Sequence, residues 1–109
     1  MTQTNSTTKS IITYLNLNGF VVWRNNNGSV YSKKRGCFLK NPNHKLGIGD
    51  IIGFRKSDGK YIEVEVKTGN DKLSQDQINH INELKAGNCI SIVAKTFYDA
   101  KKQIDEYFK

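Results

Sequence analysis

Two short apolar runs, residues 50–54 and 61–67, constrain the fold of this 109-residue chain more than any other part of its sequence. The connection between them contains Asp58-Gly59, and this dipeptide is typical of the tight turns in β-hairpins. We therefore predict two neighbouring antiparallel strands. Antiparallel pairing places the end of the second strand beside the beginning of the first, so the hairpin decides which side chains meet there.

The charged residues of this hairpin form a candidate site. Side chains alternate between the two faces of a strand, so Glu63, Glu65 and Lys67 share one face. Asp50, at the start of the first strand, then lies close to Glu65 and Lys67. Two carboxylates beside an ammonium are unfavourable unless a cation and a substrate anion lie between them, which favours a site for Mg²⁺ and a phosphate. Glu63, about 7 Å from Glu65 along the strand, is a candidate for a peripheral, water-mediated ligand.

Positive charge is concentrated in the first half of the chain. The formal net charge is +7, and residues 1–49 contain seven Lys or Arg and no acid, whereas residues 50–109 contain ten of each sign. The whole excess lies upstream of Asp50, which favours nucleic acid as a partner because phosphate neutralisation releases counterions. A solvated face that only aids solubility is equally compatible with the charge. The candidate DNA contacts are Arg24, Lys33, Lys34, Arg35, Lys40 and Lys45.

Length and composition predict a soluble, intracellular protein with one domain over residues 1–109, because a chain of this size buries a core without disulfides. Cys37 and Cys89 lack zinc-site spacing. Cys89 lies in an apolar run and is expected in the core, which fits a reducing, cytoplasmic environment. His44 and His80 are isolated, and we assign neither to a metal. No run is long enough to span a membrane, and no signal-peptide pattern is present.

Periodicity in the first half of the chain predicts a helix followed by strands. The first five residues are expected to be frayed, one of residues 6–8 to cap the helix, and the helix to end near Asn18-Gly19. Strands follow at residues 20–24 and 29–32, joined by a turn at Asn27-Gly28. Residues 33–46 are expected to form a basic loop with a short strand at residues 37–39. The side chains predicted to be buried are Ile11, Ile12, Leu15, Phe20 and Trp23.

The second half predicts helix, strand and helix after the hairpin. Ser74 begins a helix that ends before Gly87, residues 89–95 form a strand apolar enough to be central, and Thr96 caps a last helix. The buried positions predicted on these helices are Ile78, Ile81, Leu84, Phe97, Ala100, Ile104 and one of Tyr107 and Phe108. The order of elements favours an α/β fold in which helices flank a mixed sheet.

Four segments in this order resemble the PD-(D/E)XK nuclease superfamily, and more narrowly its VRR-NUC (virus-type replication-repair nuclease) domain. These segments are residues 19–24, 47–53, 65–68 and 73–77, and the resemblance extends from about residue 8 to residue 93. It implies a restriction-endonuclease-like core of α-β-β-β-α-β-α order. Single-domain members of similar size, many of them phage-encoded, tend to be homodimers that cut branched DNA such as Holliday junctions.

The resemblance also implies roles for individual residues. Asp50 and Glu65 bind a divalent metal, Mg²⁺ or Mn²⁺, with the backbone carbonyl of Val66. Lys67 assists the attacking water, and Gln77 completes the catalytic site. Members usually carry a further glutamate in the first helix, whereas this chain has no acid before Asp50. Since Asn5, Thr7 or Thr8 is expected there instead, we predict one metal ion rather than two.

Each of these residues also has a structural interpretation. Asp50 could simply follow a glycine-rich turn, and Glu65 and Lys67 could form cross-strand charge pairs on a solvated face. The spacing Ser74-x-x-Gln77 is a capping box that needs no active site. Two functions therefore stay open: a metal-dependent, structure-selective DNA endonuclease, and a nucleic-acid-binding module that lost catalysis with the helix acid. A sequence-reading restriction enzyme is a weaker third option, because no recognition insert is present.

Overall fold

The computed structural model describes residues 3–25, 29–40 and 45–108. Its sheets and helices confirm the α/β class and the predicted mixed sheet. Without the hairpin formed by its second and third strands, the order of elements is the predicted α-β-β-β-α-β-α. The elements are α1 (Gln3–Leu17), β1 (Phe20–Arg24), β2 (Ser29–Ser32), β3 (Cys37–Lys40), β4 (Ile51–Arg55), β5 (Tyr61–Val66), α2 (Gln75–Ala86), β6 (Ile90–Ala94), α3 (Phe97–Asp105) and a 3₁₀ turn, Glu106–Phe108.

Four strands form the main sheet in the order β1-β4-β5-β6. The pairs β1–β4 and β4–β5 are antiparallel, which confirms the hairpin predicted from Asp58-Gly59, and β5–β6 is parallel. The prediction that residues 89–95 form a central strand was wrong, since β6 lies at an edge. Its apolar character has another cause, because α2 and α3 both pack against it.

The two faces of the main sheet differ in composition, as strand alternation requires. One face, here called the core face, packs against α1 and α3 and is apolar throughout. The opposite face, the site face, carries the charged residues of β5 and is covered on the β6 side by α2. The core face consists of Phe20, Val22, Ile51, Ile62, Val64, Val66, Ile90, Ile92 and Ala94. The site face includes Val21, Trp23, Ile52, Phe54, Tyr61, Glu63, Glu65 and Ser91.

Helix α1 covers the core face with Ile11 and Leu15, both fully buried, as their spacing predicts. It begins at Gln3, so the expectations of a frayed start and of a cap at residues 6–8 were wrong. The Thr8 hydroxyl donates to the carbonyl of Thr4, 2.8 Å away and one turn earlier, which is the pattern of a threonine inside a helix. The side chain of Thr4 in turn reaches Thr68, with 2.6 Å between the two hydroxyl oxygens, and this contact holds the first turn on the sheet.

Helices α2 and α3 begin at the predicted caps. The Thr96 hydroxyl accepts the N–H of Asp99 at 3.0 Å, and Ala100 and Ile104 are buried as predicted. On α2, Leu84 is buried, whereas Ile78 is 38% exposed and was wrongly assigned to the core. The buried stripe of α2 runs through positions 77, 80, 81 and 84, because the helical repeat turns position 78 away from the sheet.

Two other side chains predicted to be in the core are more exposed than expected. Trp23 is 48% exposed, although its neighbour on the other face, Val22, is buried. Cys89 precedes β6 and is only partly buried. Apolar character in a short strand does not reveal which of its faces another element covers, and Trp23 points to the less covered one.

Strands β2 and β3 form a separate two-stranded sheet, which confirms the short strand predicted near residues 37–39. The turn between them, residues 33–36, is exposed. We call β2, this turn and β3 the basic arm. The turn predicted at Asn27-Gly28 lies outside the described residues. Within the described ranges, the helices are too short or too polar to cross a bilayer.

Candidate metal and nucleic-acid site

The chain reaches Asp50 through two close approaches that only glycine permits. A methyl group on Gly47 would lie 2.3 Å from the carbonyl oxygen of Asp76, in the first turn of α2. A methyl group on Gly49 would lie 2.9 Å from the carbonyl oxygen of Val64, on β5. Because side chains would clash at both positions, these glycines allow the segment to pass between α2 and β5. The segment therefore delivers Asp50 directly to the end of β5.

The hairpin brings the predicted charged residues together. Ile51 pairs with Val64, so Asp50 lies across from Glu65 at the next step of the ladder. Its Oδ2 accepts the backbone N–H of Val66 at 2.8 Å. The Lys67 ammonium lies 3.7 Å from Oε1 of Glu65. The carboxylates of two strands and one lysine thus form a cluster at one end of the site face.

The surroundings of Glu65 disfavour the ionised form of its carboxyl. Burial, and after it the nearby Asp50 carboxylate, raise the pKa of Glu65 from 4.5 to about 8, although Lys67 opposes the shift. Glu65 therefore holds a proton at neutral pH when no cation is bound. A divalent cation between the two carboxylates would remove the repulsion and favour the ionised form.

The donor set fits a hard, partly hydrated cation. Across the described ranges, no three His, Cys, Asp or Glu side chains are placed together as a metal site. Asp50 and Glu65 supply two carboxylates across the β4–β5 ladder, and the resemblance implies the Val66 carbonyl as a third oxygen. Mg²⁺ retains several waters and commonly uses only one or two protein carboxylates, so this set suits Mg²⁺ better than a metal that needs an all-protein cage.

Gln77 caps α2 and also contacts the Glu65 carboxyl. Its side-chain oxygen accepts the N–H of Ser74 at 2.8 Å, and its N–H donates to the Ser74 hydroxyl at 3.2 Å, which completes the predicted capping box. Its side-chain nitrogen donates to Oε1 of Glu65 at 3.0 Å. Because one amide serves the helix cap and the carboxyl together, Gln77 orients Glu65 from a fixed helix terminus.

Glu63 is buried beside the cluster and is engaged by protein groups on both oxygens. Its Oε2 accepts the N–H of Gly49 at 3.1 Å. Its Oε1 accepts the Tyr61 hydroxyl at 2.6 Å and lies 2.8 Å from Nε2 of His80. Burial and the bond to Glu63 raise the pKa of Tyr61, which keeps it a donor. These contacts favour a role in holding the Gly49–Asp50 backbone over the expected role as a peripheral metal ligand.

His80 lies on α2, is 6% exposed and was not predicted to contact this region. Its Nδ1 is buried, has no hydrogen-bond partner among the described residues and lies 3.8 Å from a carboxylate oxygen of Glu83. The available signal was its spacing from the buried Leu84, because residues four apart share a helix face. Its partner Glu63 could not be inferred from spacing, because the two are 17 residues apart and meet only when α2 folds onto β5.

The beginning of α1 lies near the site but supplies no acid there. Thr4 is the residue that reaches the end of β5, through its contact with Thr68, rather than the expected Thr7 or Thr8. Asn5 instead accepts a hydrogen bond from the Arg24 guanidinium at 3.3 Å. The hydroxyls of Thr4 and Thr68 therefore lie close to the position where the resemblance implies a glutamate.

The predicted DNA contacts fall into two groups. Lys33, Lys34 and Arg35 are exposed at the turn of the basic arm, and Lys40 lies on β3 in the same arm. Outside the arm, Arg24 is exposed at the end of β1. Lys45 is exposed as well but is paired with Glu83 at 3.3 Å, and it is the weaker candidate for that reason.

Comparison with solved structures agrees with the fold. One solved structure of a "VRR_NUC domain" shares 18% identity with the chain and superposes with a TM-score of 0.68, covering 98% of this chain and 99% of the other. A second, a "VRR_NUC domain protein", gives 16% identity and a TM-score of 0.66 over 98% and 88%. These likenesses establish the fold.

The family follows from the sequence comparison. The sequence model of the VRR-NUC domain matches residues 18–97, most of the chain. The chain therefore belongs to the VRR-NUC domain family, which is a nuclease family. The sequence matches none of the curated proteins with which it was compared.

Proposed function

We propose that this protein is a metal-dependent DNA endonuclease that hydrolyses phosphodiester bonds at the cluster of Asp50, Glu65 and Lys67. The observation that carries the proposal is the geometry of the cluster: the hairpin register sets Asp50 across from the buried Glu65, and the Lys67 ammonium lies 3.7 Å from Oε1 of Glu65. Two facing carboxylates and a lysine form a site that a cation and a phosphate would complete. Membership of a nuclease family supports the same chemistry.

Asp50 and Glu65 would hold Mg²⁺ or Mn²⁺ together with the Val66 carbonyl. When bound, such a cation supplies charge stabilisation at the phosphate and a more acidic water. Lys67 is placed to orient the attacking water or to balance the negative charge that develops on the phosphate. Gln77 keeps the Glu65 carboxyl oriented, and the Val66 N–H does the same for Asp50. We expect a 5′-phosphate and a 3′-hydroxyl as products.

The basic arm is proposed as the main DNA-binding element. Asn25 donates its N–H to the Asp50 carbonyl at 2.8 Å. β2 begins four residues later, at Ser29, so the arm starts at most about 14 Å from Asn25, the residue bonded to Asp50. Neutralising Lys33, Lys34 and Arg35 together should weaken DNA binding and reduce its salt dependence. An unchanged salt slope would mean that the arm faces away from DNA.

We further propose that the substrate is branched DNA, such as a Holliday junction, and that the protein acts as a homodimer. A symmetric dimer would present two equivalent sites to opposing strands of a junction. Sedimentation of the protein with and without a four-way junction tests this arrangement. A complex with one protein chain per junction at saturation would contradict it.

One observation favours a second function, a DNA-binding module without catalysis. α1 has no acidic residue in its first turn, and Thr4 occupies the place near the end of β5. The same observation underlies the expectation of one metal ion per chain. Two strong anomalous peaks per site in crystals soaked with Mn²⁺ would contradict that expectation.

The deciding experiment compares the wild type with Asp50→Ala and Glu65→Ala on a labelled four-way junction and a matched duplex, in Mg²⁺, Mn²⁺ or EDTA. We expect metal-dependent cutting that both substitutions reduce by at least about 100-fold. Glu106→Ala is the matched control, because Glu106 is an exposed acid on the C-terminal 3₁₀ turn, outside the β4–β5 hairpin. Tight junction binding without cutting in either metal would instead support the binding module.

A further inference from the structure

Trp23 is the single tryptophan of the chain, and 48% of its surface is exposed. Its location relative to the site follows from the strand register. Trp23 pairs with Ile52, and Asn25 is bonded to Asp50 at the next step along the same ladder. Trp23 and Asp50 are therefore diagonal neighbours on the site face, a relation that places side chains about 7–8 Å apart, within reach of an aromatic ring.

The surface around Trp23 is apolar and open. Phe54, two residues from Ile52 on the same face of β4, is 39% exposed. α2 packs against β6 and reaches β5 through His80, and within the described ranges it does not extend over β1. The β1–β4 half of the site face is thus an aromatic surface that adjoins the carboxylate cluster.

Charge around this surface indicates the chemistry of what covers it. The chain enters the basic arm at Ser29, six residues after Trp23, and the turn of this arm exposes Lys33, Lys34 and Arg35. A second copy of the chain, meeting this surface symmetrically, would bring two basic arms together and add repulsion. A nucleic-acid strand instead brings phosphates to the basic arm, and bases to the aromatic rings.

We propose that Trp23 stacks on an unpaired base next to the scissile phosphate, so that the protein prefers DNA with single-stranded character beside the cleavage point. This inference rests on the proposed function and names its substrate class. Bases within an intact duplex are stacked on one another and cannot offer a free face to Trp23. Bases at a fork or branch can be splayed out, and a stacked aromatic ring binds them with little dependence on sequence.

Fluorescence tests the proposal directly, because the only tryptophan is the residue in question. In EDTA, which prevents cutting, the emission of Trp23 should be quenched on titration with a single-stranded oligonucleotide or a forked DNA and should change little with a blunt duplex. Anisotropy of labelled forked DNA should show about 5- to 100-fold weaker binding by Trp23→Ala, while Trp23→Phe retains most of the affinity. Tyr98→Ala is the matched control, since Tyr98 is an aromatic residue 70% exposed on α3.

Three results would overturn the inference. Unchanged Trp23 emission at DNA concentrations where anisotropy shows saturation would place the base elsewhere. An emission change of the wild type that depends on protein concentration without DNA, together with loss of dimer sedimentation in Trp23→Ala, would assign the surface to a second copy. If Trp23→Ala lost the same affinity for forked DNA and for blunt duplex, Trp23 would not be the source of a preference for unpaired bases. Quenching by forked DNA in a protein that never cuts would support this inference while refuting the proposed endonuclease.

Discussion

The two faces of the main sheet use the same strands in opposite ways. On the core face, Ile62 and Val64 of β5 are completely buried among apolar side chains of α1 and α3. On the site face of the same strand, Glu63 and Glu65 are 4% and 6% exposed, and each depends on specific hydrogen-bond donors. One face contributes free energy of folding through burial, whereas the other holds charged groups whose burial opposes folding.

This difference indicates where the stability and the chemistry of the domain reside. An apolar face tolerates small shifts because dispersion and hydrophobic burial are not directional. A buried carboxylate requires its donors at fixed positions. Leaving it without a donor costs more free energy than losing a hydrogen bond between neutral groups. We therefore expect substitutions on the core face to change stability most, and substitutions on the site face to change pH dependence and metal binding.

The largest effect is expected at Ile62. Ile62→Ala removes a fully buried side chain and should lower the free energy of unfolding by about 2–5 kcal/mol, because a cavity remains in the core. Phe54→Ala removes more atoms from the site face, but its partly exposed side chain should contribute less than half as much. Urea unfolding of both variants checks this. Equal losses would show that the open half of the site face is covered in solution.

The second effect is a pH dependence that comes from Glu65. Below pH 4.5 the carboxyl is protonated in both states, but between pH 4.5 and about 8 only the unfolded chain ionises freely, so stability falls as pH rises through this range. In EDTA the loss should be on the order of a few kcal/mol, and Mg²⁺ should reduce it. Urea midpoints at several pH values measure it, and Glu65→Gln should flatten the curve. If the urea midpoints of the wild type and Glu65→Gln changed with pH in the same way, the pH dependence would not come from Glu65.

Glu63 is expected to have a smaller effect on stability. Glu63→Ala leaves the Gly49 N–H, the Tyr61 hydroxyl and the His80 ring without their acceptor, which should destabilise the fold by about 1–3 kcal/mol. The freed Gly49 backbone should also weaken Mg²⁺ binding at Asp50, measured by calorimetry. Glu63→Gln keeps one acceptor oxygen and should recover part of both losses. Full stability in Glu63→Ala would mean that water replaces the carboxylate.

The smallest effects are expected at the two helix caps. Ser74→Ala and Thr96→Ala each remove a hydroxyl that accepts a backbone N–H and should lower stability by about 1 kcal/mol. Only Ser74→Ala disturbs Gln77, the donor to Glu65, so only this variant should also bind Mg²⁺ more weakly. A matching loss of Mg²⁺ affinity in Thr96→Ala would show that the effect is general rather than specific to the site face.

Features specified by local sequence could be predicted. The Asp58-Gly59 turn fixed the β4–β5 hairpin and therefore the proximity of Asp50 and Glu65. The helix caps could also be predicted, because the spacing of Ser74 and Gln77 alone indicates a capping box. In each case the relevant contacts lie within a few residues or follow from a single strand pairing.

Features that depend on how elements cover one another could not be predicted. The exposure of Trp23 follows from the position of α2 on the other half of the site face, which β1 does not encode. The pairing of His80 with Glu63 likewise requires a helix to fold onto a strand. The edge position of β6 was hidden because helices on both sides make an edge strand as apolar as a central one.

The shared amide of Gln77 couples the orientation of the Glu65 carboxyl to the opening of the first turn of α2. Helix ends open more often than the rest of a fold, and the opening of the first turn of α2 would break the Ser74 cap and release the Glu65 carboxyl in one event. The fraction of molecules with an assembled site is then set by the local opening equilibrium of this turn. Warming should deplete that fraction well before the sheet itself melts.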